Sequence, residues 1–368
     1  MTKKQNTPTK ISNINILGLI AIIAFNIFLV NSCNNNEKKN AVEAKPHDLQ
    51  NYIMGTLINQ RIYNNFEGDA DEVGQKVFEK LMDMENSMSA QKGTGSIIKL
   101  NKSAGNGQFI KLNKETYFIV DEAKKFYEKS NQTFDISMGP LIRKWNFSES
   151  NKMVVPSKEE IEKLLEISKI EDLELDPETQ SARLKKVGES IDLGGCVKGY
   201  AGDKIIELYK ENGVESAFIN LGGNVVTLGS KPNGDDWVIG IQNPRATNGR
   251  YIGTIKVKNK TVVTSGDYER YFEKDGTRYH HILNPKDGYP ARSGIIGVSI
   301  ISDSSTRADF LSTSAFILGL DEGMKLVESF NDGCIFITDK KKIYVSDNLK
   351  SAFKMDDSSK EFEYVEKR

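Results

Sequence analysis

Apolar and polar residues alternate along the chain with two different periods. Between residues 69 and 89 the apolar positions recur every three or four residues, as in an amphipathic helix. These positions are Val73, Val77, Phe78, Leu81 and Met84. The same spacing predicts further helices at 114–131, 157–168, 196–213 and about 306–318. Ser157 and Glu160 predict a capping box at the start of one of them, and Gly213 predicts the end of another.

Strand patterns dominate after about residue 215. Short runs rich in Val, Ile, Phe and Tyr alternate with turn residues. An early strand at "GTLINQRIY" is followed much later by "SAFINLGGNVVTLGS", "WVIGIQNP", "YIGTIKVKNKTVVTSG", "RYFEKDGTRYHHILN", "GIIGVSIIS" and a final hairpin at "CIFITDKKKIYVS". Asn233-Gly234, Asp275-Gly276 and Asp287-Gly288 are typical turn pairs. Helices clustered early and consecutive strands later predict an α+β fold with a mainly antiparallel sheet.

The first residues of the chain have a different composition. Lys3, Lys4 and Lys10 precede the apolar run 14–30, which ends at "VNSC" with Cys33. A basic start, an apolar run and a small residue before the exit predict a secretory signal, and the cysteine indicates a bacterial lipoprotein. We therefore predict a signal peptide at 1–32, lipidation of Cys33 and an extracytoplasmic protein that is lipid-anchored to the bacterial cell membrane. An uncleaved transmembrane anchor is the alternative, although the run is short for a span.

Composition separates the remaining parts and excludes one class of partner. Residues 33–48 are polar and predict a solvated tether, 49–350 form the predicted folded domain, and 351–368 form a charged C-terminal tail. The formal net charge of -1 lacks the basic excess of nucleic-acid binders. Beyond the signal, Cys196 and Cys334 are too few to indicate a disulfide framework.

Two glycine-rich segments and one helix carry candidate chemistry. "DLGGCVKGYAGD" and "NLGGNV" place a glycine pair where a loop meets an element, which suits either a tight turn or the approach of a phosphate. Neither is a Walker loop or GxGxxG. On the helix "TRADFLSTSAFILG", Asp309 and Thr313 lie four residues apart and face one side. Their oxygens suit Mg²⁺, although a dipole-stabilised acid with a back-bonded threonine has the same spacing.

The segment "TSGDYERYFEKDGTRYHHILNP" gathers titratable groups on a predicted hairpin, His280 and His281 among them. Together with "YIMGTLINQRIY", "MSAQKGTGSIIKLN", "FDISMGPLIRKWNF" and the segments above, it resembles the ApbE-type FAD:protein FMN transferase family, in the right order over about residues 52–345. The resemblance implies a two-lobed, T-fold-like α+β architecture with the FAD site in the cleft. It also implies Mg²⁺-dependent transfer of FMN from FAD to a Thr or Ser hydroxyl, with release of AMP. The implied acceptor is an extracytoplasmic flavoprotein of an electron-transfer chain.

The resemblance also assigns roles to individual residues. His281 matches the family's histidine and is the expected base for the acceptor hydroxyl. Asp309, Thr313 and the backbone carbonyl of Val197 are the expected Mg²⁺ ligands. The remaining expected contacts to FAD are Lys198 at a phosphate, Asp192 at the nucleoside, and Met54, Ser265, Gly266 and Asp267 along the site. His280 has no counterpart and is expected to face solvent on its strand.

Other functions remain open from the sequence. A FAD-binding lipoprotein that scavenges or carries flavin would not need His281, Asp309 and Thr313 together. A pyrophosphatase that cuts FAD to FMN and AMP is an intermediate case. A Ser/His/Asp hydrolase built from Ser265, His281 and Asp267 is disfavoured, because no GxSxG nucleophile elbow is present. Self-flavinylation is also disfavoured, since the chain lacks a Ser/Thr-Gly-Ala-Ser/Thr segment like those of the targets.

Overall fold

The computed structural model describes residues 44–91, 93–147, 154–246, 249–356, 358 and 360–366. The predicted signal peptide, Cys33 and most of the tether lie outside the described residues. The described helices are α1 (Ala70–Met88), α2 (Ser96–Lys102), α3 (Lys114–Lys129), α4 (Gly139–Trp145), α5 (Lys158–Leu165), α6 (Val197–Glu211), α7 (Ser305–Leu318) and α8 (Leu320–Ser329). Within this part of the chain, none of the helices has the length and hydropathy of a membrane span.

Most of the strands join one large sheet. The strands are β1 (Pro46–Ile53), β2 (Thr56–Tyr63), β3 (Ile110–Lys111), β4 (Leu173–Asp176), β5 (Ser181–Leu184), β6 (Ala217–Leu221), β7 (Asn224–Leu228), β8 (Trp237–Gln242), β9 (Tyr251–Val257), β10 (Thr261–Gly266), β11 (Tyr271–Lys274), β12 (Thr277–His280), β13 (Ile295–Ser302), β14 (Gly333–Thr338), β15 (Lys342–Val345), β16 (Phe353–Met355) and β17 (Glu363–Tyr364). Nine of them form a sheet in the order β1-β2-β6-β7-β10-β13-β14-β15-β17. Only the β15–β17 pair of that sheet is parallel. The α+β fold with a mainly antiparallel sheet is therefore confirmed.

Smaller sheets accompany the large one, and one helix begins and another ends where the sequence predicts. Three-stranded sheets β16-β9-β8 and β3-β5-β4 and the hairpin β11–β12 stand beside the large sheet. The capping box of Ser157 and Glu160 is present at the start of α5. Gly213 follows α6 with φ of 77°, as predicted for the residue after a helix. The second half of "MSAQKGTGSIIKLN" lies in α2, where Ile97, Ile98 and Leu100 bury one helical face.

The folded body extends past both predicted boundaries. β1 begins at Pro46 and pairs along its whole length with β2. At the other end, β16 pairs with β9, and β17 pairs with β15. Phe362 is 6 % exposed and packs with Trp237 and Phe353 in a hydrophobic cluster separate from the main core. Residues before 49 and after 350 therefore contribute strands to the folded body.

Helix α7 is the centre of the fold, because it packs against α6, α8, β10 and β13. Its buried residues lie on every side, as expected of a helix enclosed by protein. Asp203 of α6 caps its first turn by accepting hydrogen bonds from the Ser305 and Thr306 amides at 2.6 and 2.9 Å. The Ser304 and Thr306 hydroxyls donate to the same carboxylate. This cap fixes α7 against α6, and the candidate site lies along that contact.

Candidate active site

The close approach of α6 and α7 brings three predicted site residues together. A Cβ atom on Gly199 would lie 2.5 Å from the Cβ of Asp309 and 2.4 Å from the Ser305 carbonyl oxygen, so only glycine fits there. The Gly199 amide donates a hydrogen bond of 2.7 Å to Oδ2 of Asp309. Val197 and Lys198 open the same helix and therefore lie beside the Asp309 carboxylate.

Thr313 and the end of β10 adjoin the same contact. Thr313 follows Asp309 by one turn, and a Cβ on Gly195 would lie 4.0 Å from its Oγ1. Hence the loop before α6 runs past Thr313. Ser312 of α7 shares a hydrogen bond of 2.8 Å with Ser265 of β10 and donates to the Asp309 carbonyl at 3.0 Å. Ser265 thus ties β10 to the helix turn that carries Asp309.

The "NLGG" turn supplies a further wall. Gly222 and Gly223 have φ of 63° and 102° and turn the chain between β6 and β7. Asn224 follows and is 1 % exposed. Its amide lies close enough to lower the pKa of Asp309, yet among the described residues its Nδ2 has no hydrogen-bond partner. Asn224 therefore presents an unsatisfied buried donor beside the Asp309 carboxylate.

Met54 reaches the same end of the sheet through the β1–β2 turn. Met54 and Gly55 have φ of 55° and 71°, the two positive values of a two-residue hairpin turn. A left-handed φ costs a methionine roughly 1–2 kcal/mol relative to a right-handed one. A Cβ on Gly222 would meet Oγ1 of Thr56 at 2.3 Å, so the turn carrying Met54 lies against the "NLGG" turn.

Charged side chains converge on this region from distant parts of the chain. We call them the charged cluster: Asp192, Lys198, Glu269, Arg270, His281 and Asp309. Each acts electrostatically on at least one other member. Two surface cavities of the described chain border Asp203 instead, and no member of the charged cluster lines them.

The imidazole of His281 lies among cations. Burial lowers its pKa well below the usual 6.5, and Arg270, His280 and Lys198 lower it further. The His281 amide donates a hydrogen bond of 3.0 Å to the Arg270 carbonyl oxygen. Among the described residues, its buried Nδ1 has no hydrogen-bond partner. At neutral pH the imidazole is uncharged and can accept a proton.

The carboxylates of the cluster show the opposite shift. Burial raises the pKa of Asp309 to about 6, against the effects of Lys198 and the Gly199 amide. Burial also raises the pKa of Asp192, whose Oδ1 accepts a hydrogen bond of 2.7 Å from the Gly194 amide. Part of the Glu269 residue is exposed to solvent. Desolvation of its carboxyl nevertheless raises its pKa, and the positive charges of Lys198 and Arg270 oppose the rise. Because burial disfavours the ionised form of these carboxyls, a cation bound beside them would stabilise their negative charge.

The structure corrects the expectation for His280 and shows a charged partner of Asp267. His280 does not face solvent: it is 2 % exposed, its Nε2 bonds the Ala291 carbonyl at 3.0 Å, and its ring contacts Phe316 edge-on. Alternation along β12 turns it toward the core, and burial lowers its pKa to about 4. Asp267 binds Arg245 through both oxygens, at 2.7 and 2.8 Å. It therefore fixes the loop around Arg245.

The sequence reasoning missed Glu269, Arg270 and Asn224. Glu269 and Arg270 stand inside the quoted "TSGDYERYF" segment, and Asn224 directly follows the glycine pair of "NLGG". Only the folded chain places Glu269 against that turn, where its Oε1 lies 3.8 Å from a Cβ built on Gly223. In the sequence, the glycine pair directly before it could have drawn attention to Asn224.

The donor set fits a hard cation. Among the described residues, no group of three or more His, Cys, Asp and Glu side chains could hold a metal ion. The predicted set contains only oxygen atoms, from the Asp309 carboxylate, the Thr313 hydroxyl and the Val197 carbonyl, which is the ligand chemistry of Mg²⁺. Asp309 is 6 % exposed and forms no ion pair within 4.0 Å with another described residue, so a cation would satisfy its charge.

Comparison with known proteins identifies the family of this fold and site. The model of the ApbE family matches residues 54–337, which include every member of the charged cluster. The chain belongs to the ApbE family. The resemblance noted from the sequence motifs is thereby confirmed.

Two named relatives and one solved structure each match most of the chain. A protein of Klebsiella pneumoniae (strain 342) named FAD:protein FMN transferase is 31 % identical over 307 residues, covering 83 % of this chain and 93 % of that protein. A protein of the same name from Treponema pallidum (strain Nichols) is 32 % identical over 312 residues, or 80 % and 85 %. The crystal structure of the ApbE protein from Thermotoga maritima superposes with a TM-score of 0.77 at 31 % identity, covering 84 % of this chain and 99 % of that one.

The charge of Arg270 should influence how kcat/KM of this ApbE protein depends on pH. A cation beside His281 favours the neutral imidazole, so replacing Arg270 with glutamine raises the pKa of His281. We expect the acidic limb of kcat/KM for FAD to lie below pH 6.5 in the wild type and to move to higher pH in Arg270→Gln. Arg278→Gln on the same hairpin is the matched control, because Arg278 acts on the neighbouring His280, whereas Arg270 and Lys198 are the cations that lower the pKa of His281. An identical limb in all three proteins would contradict this role.

Proposed function

We propose that this protein transfers FMN from FAD to a Thr or Ser hydroxyl of another protein, with release of AMP. The observation that carries the proposal is the convergence of a neutral imidazole, two cationic side chains and an oxygen-rich cation site in one region. A hydroxyl that attacks phosphorus needs a base for its proton and positive charge for the phosphate oxygens. His281 meets the first need, and Lys198 and Arg270 contribute to the second. The names of the relatives support the same reaction.

The proposed reaction is a single displacement at phosphorus. The acceptor oxygen forms a bond to the phosphorus of the FMN half, and the bond from that phosphorus to the bridging oxygen breaks. The hydroxyl proton passes to Nδ1 or Nε2 of His281, and AMP leaves with the bridging oxygen. Anionic phosphates next to Lys198 and Arg270 would offset the cations that lower the pKa of His281, so substrate binding strengthens the base.

The proposal also assigns binding residues, and the contacts among them support the assignment. Mg²⁺ held by Asp309, Thr313 and the Val197 carbonyl would neutralise charge on the pyrophosphate. The Gly199 amide orients the Asp309 carboxylate through its hydrogen bond of 2.7 Å. Met54, Asp192, Ser265 and Gly266 are the proposed walls for FAD, while Asp267 supports them by holding Arg245.

Incubation with FAD, Mg²⁺ and an acceptor tests this function against its alternatives. A suitable acceptor is a small carrier domain that displays Ser-Gly-Ala-Thr in an exposed loop. Flavin fluorescence that stays with the carrier band in a denaturing gel supports transfer. Free FMN with an unlabelled carrier indicates a pyrophosphatase, and bound but intact FAD indicates a flavin carrier. Either of the last two outcomes would overturn the proposal.

We further propose that the protein is a lipoprotein that acts outside the cytoplasm, held to the membrane through Cys33. The basic start, the apolar run 14–30 and "VNSC" support this location. An extracytoplasmic flavoprotein of an electron-transfer chain is the corresponding acceptor.

Replacing Cys33 tests the location. We expect Cys33→Ala to leave a precursor of full length, because the lipoprotein signal is recognised through that cysteine. Its mobility on a gel and its partition into detergent measure processing and lipidation, and Cys334→Ala is the matched control. Unchanged processing of Cys33→Ala would contradict the lipoprotein signal and favour an uncleaved anchor.

A further inference from the structure

The hairpin β11–β12 connects two members of the charged cluster, Arg270 and His281. It forms a two-stranded sheet that, within the described chain, is joined to no other sheet. Arg270 directly precedes β11, and His281 directly follows β12. The His281 amide donates to the Arg270 carbonyl at 3.0 Å, so the two ends of the hairpin meet at the proposed base.

The register shows which backbone groups of β11 point away from β12. Tyr271 pairs with His280, Phe272 with Tyr279, and Glu273 with Arg278. Because Arg270 and His281 share a hydrogen bond, alternation makes Tyr271 and Glu273 members of non-hydrogen-bonded pairs. Their amides and carbonyls therefore point to the outer edge of β11.

The two edges of the hairpin differ. The β12 side is covered, because Arg292 donates to the Arg278 carbonyl and the Ala291 amide donates to the Ile282 carbonyl at 2.9 Å. On the β11 side, the backbone groups of Tyr271 and Glu273 bond to no other described residue. Both of these side chains are exposed, Tyr271 by 39 %. β11 thus offers an open strand edge beside the site.

The open edge rests on a fixed support. Phe272 stacks on Tyr279 with ring centroids 5.2 Å apart and lies 5.8 Å from Phe147. Tyr279 in turn lies 5.7 Å from Trp145, which is fully buried. Hence one face of the hairpin is anchored in an aromatic cluster, and the edge is held in place without a neighbouring strand.

We propose that the acceptor protein docks by adding an extended segment to the outer edge of β11. The proposal rests on the proposed transfer function, in which the second substrate is a protein whose hydroxyl must reach His281. A segment paired with Tyr271 and Glu273 leaves the edge next to Arg270, where the hairpin enters the charged cluster. Main-chain hydrogen bonds to an exposed strand edge supply affinity in this binding mode.

A proline on the outer edge separates docking from catalysis. Glu273→Pro removes an outward amide but no hydrogen bond within the hairpin, and proline is tolerated at such edge positions. Glu273→Ala is the matched control, since both variants lose the contact of 3.0 Å between Glu273 and Arg278. With the carrier that displays Ser-Gly-Ala-Thr, we expect Glu273→Pro to raise the acceptor KM about tenfold, the effect of roughly one hydrogen bond. Glu273→Ala should stay near the wild type, and both should keep the wild-type Kd for FAD.

The outcomes distinguish this proposal from the function on which it rests. Equal acceptor KM values in the proline and alanine variants would overturn edge docking and leave FMN transfer intact. No labelled carrier with the wild-type chain would overturn the transfer function and edge docking together. If Glu273→Pro unfolds, amide hydrogen exchange of the wild type decides. Slower exchange at Tyr271 and Glu273 with the carrier supports docking, and unchanged exchange refutes it.

Discussion

Replacing His281 with alanine is expected to slow FMN transfer by about 10² to 10⁴, the usual loss for a general base. The affinity for FAD should change little, because the phosphate contacts that we propose are made by Lys198, Arg270 and the cation rather than by His281. The measurement is single-turnover transfer at saturating FAD, Mg²⁺ and acceptor. Because the pKa of His281 is lowered well below 6.5, its imidazole is neutral in the free protein at neutral pH and is available to accept the proton.

His280 provides the control for that experiment, and its expected effect is of a different kind. Its Nε2 bonds the Ala291 carbonyl, and its Nδ1 accepts a hydrogen bond of 3.3 Å from the Ile282 amide. Removing the ring leaves buried groups unpaired, which costs about 1–3 kcal/mol of stability each. We therefore expect His280→Ala to lower Tm, and His281→Ala to leave Tm within a few degrees. Equal, small losses of rate in both variants would exclude His281 as the base.

Replacing Asp309 with alanine is expected to slow transfer by about 10³-fold or more, since charge stabilisation by a metal ion is worth several kcal/mol. The buried carboxylate is the one charged member of the proposed ligand set. Loss of Asp309 should abolish stimulation by Mg²⁺, while FAD binding remains measurable by its fluorescence. Titration of the EDTA-treated protein with Mg²⁺ gives the metal affinity directly.

Thr313 supplies matched controls for the cation site. Thr313→Ser keeps the hydroxyl and should keep the affinity for Mg²⁺ within a few-fold. Thr313→Val has a similar shape without the oxygen and should weaken it. Transfer by the EDTA-treated wild type at its full rate, or equal Mg²⁺ affinities of the serine and valine variants, would contradict the assignment of these ligands.

Local patterns were sufficient to predict much of the fold. The helical spacing of Val73, Val77 and Leu81 identified α1, and the capping box at Ser157 marked the start of α5. These signals depend on residues within one turn of each other, so the sequence alone displays them. The pair Asp309 and Thr313 was found for the same reason, because residues four apart share a helix face.

The remaining features depend on contacts between distant segments. Asp267 looks available in the sequence, but Arg245 lies 22 residues away and takes both of its oxygens. Asn224 meets Asp309 only because β7 lies beside α7 in the fold. Strand alternation predicted that His280 and His281 face opposite sides of the strand. It could not show that the side of His280 is the protein core. Burial and pairing across the sheet are properties of the fold.

The balance of reaction products is the most direct measurement of the proposed chemistry. The wild-type chain is incubated with FAD, Mg²⁺ and the Ser-Gly-Ala-Thr carrier, and AMP, free FMN and carrier-bound FMN are quantified together by chromatography and mass spectrometry. We expect one AMP for each FMN attached to the carrier hydroxyl, little free FMN, and loss of both products in His281→Ala. AMP matched by free FMN, with the carrier unmodified, would contradict transfer and identify hydrolysis of FAD as the activity.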